Sequence, residues 1–117
     1  MLARPNKCRN ICSMPQVTEF VPAGGSESCV VLGVDAFEVI RLLDYKKFTQ
    51  EQCAARMNIS RTTVTRIYED ARRKIAEAMV FGRRIVIEGG DVMVCRQMKP
   101  ECKNEINCCH RQREKVE

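Results

Sequence analysis

No tryptophan occurs anywhere in the chain, aromatic residues make up 5% of it, and there is one histidine, His110. The shortage of large rings means that a core must be built from aliphatic side chains, methionine and a few phenylalanines, which suits small packed helices. A lone histidine in a polar stretch leaves no nucleophile, base and orienting partner to assemble, so an enzyme is not expected. Nor does any uninterrupted apolar run approach the roughly 18 residues that a membrane helix needs. The opening residues MLARPNKCRN lack the apolar stretch of a secretion signal, and the chain reads as cytoplasmic with no membrane partner. There is no internal repeat, and 117 residues suit one domain with a modest core.

Positive charge is what the chain has in excess. Twenty Lys and Arg against fifteen Asp and Glu give +5, which favours a polyanionic partner. The charge is also clustered. Arg4, Lys7 and Arg9 meet no acid among the first eighteen residues, and Arg61, Arg66, Arg72, Arg73 and Lys74 outnumber Glu69 and Asp70. Three of the four prolines, with AGGS at 23–26, mark residues 1–28 as a basic arm and loop that holds at most a short strand around 17–21. Residues 29–90 carry the folding pattern, and 91–117 read as a polar, Cys-rich tail.

Within 29–90, CVVL at 29–32 predicts a short strand broken by Gly33. Asp35 followed by Glu38 predicts an N-cap with a reciprocal acid. It opens a helix AFEVIRLLDYKK that presents Phe37, Ile40 and Leu43 on one face and closes on Lys46 and Lys47. Thr49 and Gln52 repeat that arrangement for a second helix reaching about Met57, and Ser60 caps a third. Along the third, Val64, Ile67, Tyr68, Ala71, Ile75, Ala78 and Met79 recur at helical steps up to a stop at Gly82. RRIVIEGG at 83–90 reads as a strand able to pair with 30–32. The predicted class is mainly α: a three-helix helix-turn-helix domain with a long third helix, short flanking β-strands, an extended basic N-terminal arm and a Cys-rich C-terminal tail.

The stretch TQEQCAARMNISRTTVTRI meets the demands of two helices crossing steeply through a short turn. Ala54 is small where backbones approach, Asn58 tolerates positive φ in the turn, and Cys53, Met57, Ile59, Val64 and Ile67 bind both helices to a core. An ordinary helical hairpin would satisfy the same spacing. The outer face favours DNA instead, because Arg61, Thr62, Thr65 and Arg66 escape the apolar stripe at the leading end of the third helix, where such modules meet the major groove. There Arg can donate twice to guanine, and Thr can meet a base edge or a thymine methyl. Thr62 and Thr63 can equally bond phosphates. Arg56 is a phosphate candidate, and Arg72, Arg73 and Lys74 are either phosphate contacts or solvated. Glu69 and Asp70 would repel phosphate, so they are expected to face away or to pair with a nearby Arg. Arg4, Lys7 and Arg9 either reach DNA as a basic arm or form a solvated end.

These residues resemble a known family, the predicted DNA-binding proteins of uncharacterised family 0251, also called domain of unknown function 134. The likeness is carried by ARPNKCRN, MPQVTEFVPAG at 14–24, VDAFEVIRLLD at 34–44, the helix-turn-helix stretch, ARRKIAEAMVFG and IEGG, over about residues 3–90. It implies a prokaryotic module whose helix-turn-helix is similar to region four of sigma-70 factors and which acts in transcription. The cysteine-rich tail lies outside the likeness.

Of eight cysteines, Cys53 fills an apolar helical position, and Cys29 is expected to pack at the start of a buried strand. Cys95, Cys102, Cys108, Cys109 and His110 crowd the tail. Their ligand chemistry suits Zn or an iron-sulfur cluster, which would order a tail without its own core. Against this, no Cys-x-x-Cys pair is present, and adjacent Cys108 and Cys109 equally suit free or oxidisable thiols. Cys8 and Cys12 would join such a site only if the termini meet.

The leading functional expectation is a sequence-specific DNA-binding transcriptional regulator with a metal or redox input from the tail. Its partner would be double-stranded DNA, bound as a homodimer that pairs through the strand at 84–88. The alternative is a protein-interaction adaptor that uses the same shape to bind RNA polymerase or a partner factor.

Overall fold

The structure, a computed structural model, describes residues 9–11, 14–90 and 92–94. In chain order these form β1 (Arg9–Ile11), β2 (Glu19–Phe20), β3 (Cys29–Leu32), α1 (Val34–Ile40), α2 (Gln50–Met57), α3 (Arg61–Phe81), β4 (Arg84–Ile87) and β5 (Val92–Val94). Three helices with a few short strands make a small α-dominated domain. No helix among the described residues is long and apolar enough to cross a membrane.

β4 is the middle strand of a three-stranded sheet, antiparallel to β2 and parallel to β3, with Val30 opposite Ile85 and Leu32 opposite Ile87. The expected pairing of the two apolar segments is therefore present. The proposal that 84–88 offers a dimer edge is not sustained, because both sides of β4 are already hydrogen-bonded within the chain. β3 alternates in burial: Val30 and Leu32 face the core, while Cys29 and Val31 are exposed. Cys29 thus does not have the packing role expected of it, since period-two alternation turns it outward.

α1 starts two residues earlier than an N-cap at Asp35 predicts. Gly33 is the N-cap and makes no side-chain cap, while the Asp35 carboxylate accepts from the N–H of Ala36 at 2.8 Å. The Val34 N–H is instead taken by the carbonyl of Gly89, 2.8 Å away, so the IEGG ending ties back onto the start of α1. Gly90 lies at φ +100°, and a Cβ there would stand 3.0 Å from Asp35 Oδ1, which explains why glycine fits this contact. α1 runs on into a π-helical segment, Arg41–Tyr45, and Lys46 and Lys47 fall beyond it, with Lys47 at φ 64° rather than in a last helical turn. Val39 and Leu42 are the deeply buried residues of this stretch, and Phe37, Ile40 and Leu43 are only half-buried against the core.

Glu38 is not a capping acid. It is 1% exposed, and the Arg41 guanidinium grips it twice, Nε to Oε1 at 3.0 Å and a terminal nitrogen to Oε2 at 2.9 Å. Burying a carboxylate is tolerable only with such paired, charge-assisted bonds. At the ends of the described chain, β1 and β5 pair in parallel with Ile11 opposite Val94, and Ile11 is buried in the main core. The residues on either side of 9–11 and 92–94 lie outside the described set.

Candidate nucleic-acid interface

α2 and α3 are set by local rules that the sequence obeys closely. Thr49 accepts from the Gln52 N–H at 3.0 Å, and Gln52 returns the bond to the Thr49 N–H at 2.9 Å, a complete capping box. Asn58 ends α2 in the left-handed region, φ 60° and ψ 46°, which lets the chain reverse in three residues. Ser60 then caps α3 by accepting from the Thr63 N–H at 3.1 Å, and Gly82 at φ 67° closes it. Cys53, Met57 and Val64 are fully buried where the two helices meet, and Ala54, Ile67 and Ala71 complete the seam. Burial and the carboxylate of Glu38 push the Cys53 thiol up to about 12 from its ordinary 9.0, so it stays protonated as a packing group.

The outer side of α3 presents Thr62, Arg66, Glu69 and Arg73, all exposed, at steps of four, three and four. Those steps place them in one row. Among the described residues, Arg66, Glu69 and Arg73 make no ion pair, whereas the other charges of the helix are engaged. Arg61 lies 3.9 Å from Glu51, and Lys74 pairs with Asp70 at 3.3 Å. Arg72 stacks over Tyr68 and donates to its hydroxyl at 2.9 Å, and that hydroxyl in turn donates to Asp44 at 2.8 Å. The bond to Asp44 is the main cause that holds the Tyr68 phenol above its ordinary pKa of 10.0.

The sequence-predicted residues therefore divide. Arg61, Thr62 and Arg66 share the exposed leading turns of α3, and Arg73 continues the row. Thr63 and Thr65 are half-buried and internally bonded: Thr63 shares a hydrogen bond of 2.8 Å with the Ser60 hydroxyl, and the Thr65 hydroxyl contacts Gln50 Oε1 and the Arg61 carbonyl. Thr65 braces α3 against α2, and Thr63 closes the cap of α3. Arg56 sits half-buried in the last turn of α2. Glu69 lies in the exposed row with Arg66 and pairs with no Arg among the described residues, whereas Asp70 pairs with Lys74. Met79 was expected in the buried stripe. It is 77% exposed and continues with Val80 and Phe81 into an apolar end of the helix that the core does not reach.

Arg4 and Lys7 lie outside the described residues, as do Cys8, Cys12, Cys95, Cys102, Cys108, Cys109 and His110; of Arg9 only the strand backbone is described. Among the described residues no group of three or more His, Cys, Asp or Glu could hold a metal ion. An open groove of about 380 Å3 lies apart from the α3 row, lined by Met14, Val17, Phe20 and Phe37 together with Arg41. Sequence reasoning missed Gln50 and Glu51, which stand at the start of α2 beside Thr65 and Arg61. No local pattern signals a contact between side chains 10 or 15 residues apart.

Residues 1–95 match a family described as protein of unknown function DUF134. A protein of Desulfitobacterium hafniense strain Y51 named UPF0251 is similar at 42% identity over 104 residues, covering 86% of this chain and 83% of its own. The UPF0251 protein of Thermoanaerobacter pseudethanolicus is 45% identical over 96 residues, 80% of this chain and 81% of its own. That of Clostridium acetobutylicum is 39% identical over 115 residues, 92% and 80% respectively. No solved structure matches.

Proposed function

We propose that this chain, which belongs to the DUF134 family, is a sequence-specific DNA-binding transcriptional regulator of the helix-turn-helix type. The observation that carries this reading is the exposed row on α3, in which Arg66 and Arg73 have no ion pair among the described residues while neighbouring cations are engaged. A guanidinium without an ion pair among the described residues is available for bidentate donation to an acceptor pair such as guanine O6 and N7.

In this reading α3 enters the major groove by its leading turns, and α2 crosses the backbone. Arg66 reads a guanine, and Thr62 meets a base edge or a thymine methyl. Arg73 stands seven residues further on, about 10 Å along the helix from Arg66, and binds phosphate. Arg61 exchanges its contact with Glu51 for phosphate or base. The bond of Thr65 to Gln50 ties α3 to the start of α2, so that the row arrives pre-organised. One such unit buries little surface, so two copies on adjacent half-sites are the working assembly. Selection of bound sequences from random duplex DNA at 50 mM salt tests the proposal. Recovery of a defined motif is expected, and recovery of unenriched sequence would overturn it.

A second reading is favoured by the exposed Met79, Val80 and Phe81 at the end of α3: a protein-interaction adaptor that docks this apolar end on RNA polymerase or a partner factor. Salt separates the two readings. Phosphate contacts weaken steeply as salt rises because counterions are released, and an apolar contact does not.

A further inference from the structure

Glu69 is an acid in the row read above as facing DNA. It is exposed, it follows Arg66 by three residues and precedes Arg73 by four, and it pairs with neither. Those are the helical spacings at which Glu and Arg ordinarily meet. The other two acids of α3 do find cations, Asp70 with Lys74 and Glu77 with Arg83. A carboxylate left open among cations on a DNA-facing surface opposes binding through phosphate repulsion unless it meets a hydrogen-bond donor there.

Resting on the DNA-binding reading of α3, we infer that Glu69 is a specificity-determining residue that accepts a hydrogen bond from the exocyclic amine of a cytosine in the major groove. An ionised carboxylate is an acceptor only. Guanine presents two acceptors in that groove and thymine one acceptor and a methyl group, so both are disfavoured partners. Adenine offers an amine beside the acceptor N7, which would repel the second carboxylate oxygen. Cytosine offers its amine with no acceptor alongside. Glu69 is three residues beyond Arg66, about 4.5 Å along the helix axis. With about 3.4 Å per base pair, the cytosine falls one or two base pairs from the guanine that Arg66 reads. Arg66 and Arg73 on either side offset the charge of the acid without sequestering it, so the row retains its attraction for DNA while rejecting three bases at one position.

The test is selection from random duplex DNA with the full chain, run in parallel for wild type, E69A, E69Q and R66A, with helical content checked by circular dichroism. In the wild-type motif a cytosine should lie one or two base pairs from the position that R66A relaxes. E69A should lose preference at that cytosine and bind the wild-type motif about 5- to 30-fold more weakly. E69Q, which keeps the shape and supplies both a donor and an acceptor, should change the preferred base there to adenine. If E69A and E69Q select the wild-type motif unchanged, or if E69A binds every duplex more tightly with the same preferences, the role of Glu69 is overturned and the DNA reading stands. If wild type selects no motif, both fall.

Discussion

Replacing Arg66 by Ala probes the proposed interface with the least disturbance to the fold. The Arg66 side chain is exposed and makes no ion pair among the described residues, and Ala is the best helix former, so folding stability should change by less than about 0.5 kcal/mol. The cost to binding depends on what the guanidinium touches. A phosphate contact contributes a slope of about −0.9 in log affinity against log salt, and a fourfold rise from 50 to 200 mM spans about 0.6 log units. One such contact is therefore worth about 3.5-fold in that interval on every sequence. A bidentate contact to guanine is worth about 1 to 3 kcal/mol, or roughly 5- to 150-fold, and only where that guanine is present. Fluorescence anisotropy titrations of R66A and wild type on the selected site, on single-base variants and on unrelated duplex, at both salt concentrations, distinguish the two. The expected result is a large loss on the selected site, a much smaller one on unrelated duplex, and no discrimination left at one base pair. Equal loss on all duplexes would refute base reading by Arg66, and no loss anywhere would refute the placement of this face on DNA.

Asn58→Ala should destabilise the domain by about 1 kcal/mol in urea unfolding, because a Cβ-bearing residue without a polar side chain is strained at φ 60°, while Asn58→Gly stays within about 0.5 kcal/mol of wild type; equal stability of N58A and wild type would contradict the turn described. Glu38→Ala removes both bonds to the Arg41 guanidinium and should cost about 2 kcal/mol, with the E38A/R41A double variant milder than the sum of the singles by thermal unfolding. Native labelling with iodoacetamide at pH 8 should modify Cys29 long before Cys53, read by peptide mass spectrometry, and comparable rates would show that Cys53 is not sealed in the α2–α3 seam. The same shift fixes a sign with pH. The folded thiol holds its proton up to about 12 and the unfolded one only to about 9.0, so the Cys53 contribution to stability is complete below pH 9 and is lost as pH climbs toward 12. Urea unfolding between pH 8 and 10.5 should show that decline, and it should be shallower in C53A.

The sequence by itself settled what depends on a few neighbouring residues: the α2 capping box at Thr49 and Gln52, the reversal at Asn58, the Ser60 cap, the stop at Gly82 and the seam of Met57, Val64 and Ile67. Caps, turns and helical periodicity act over one or two turns of chain, so the residues that cause them are adjacent in the text. The tertiary structure alone decided the rest. Asp35 lost the expected cap because the carbonyl of Gly89, 55 residues away, claims the Val34 N–H. The dimer edge proposed for β4 disappeared because β2 and β3, which precede the three helices in the chain, occupy both of its sides. Met79 fits the helical stripe by spacing, but the core ends before it, and where a core ends is set by the packing of distant elements. Which charges of α3 stay unpaired among the described residues is decided partly in the same way, since Glu51 lies near Arg61, the Val31 carbonyl accepts from Lys74, and Asp44 accepts from the Tyr68 hydroxyl to which Arg72 donates. Local sequence fixes the shape of the α2–α3 unit; pairing within α3 and with distant residues together determines which of its charges are engaged.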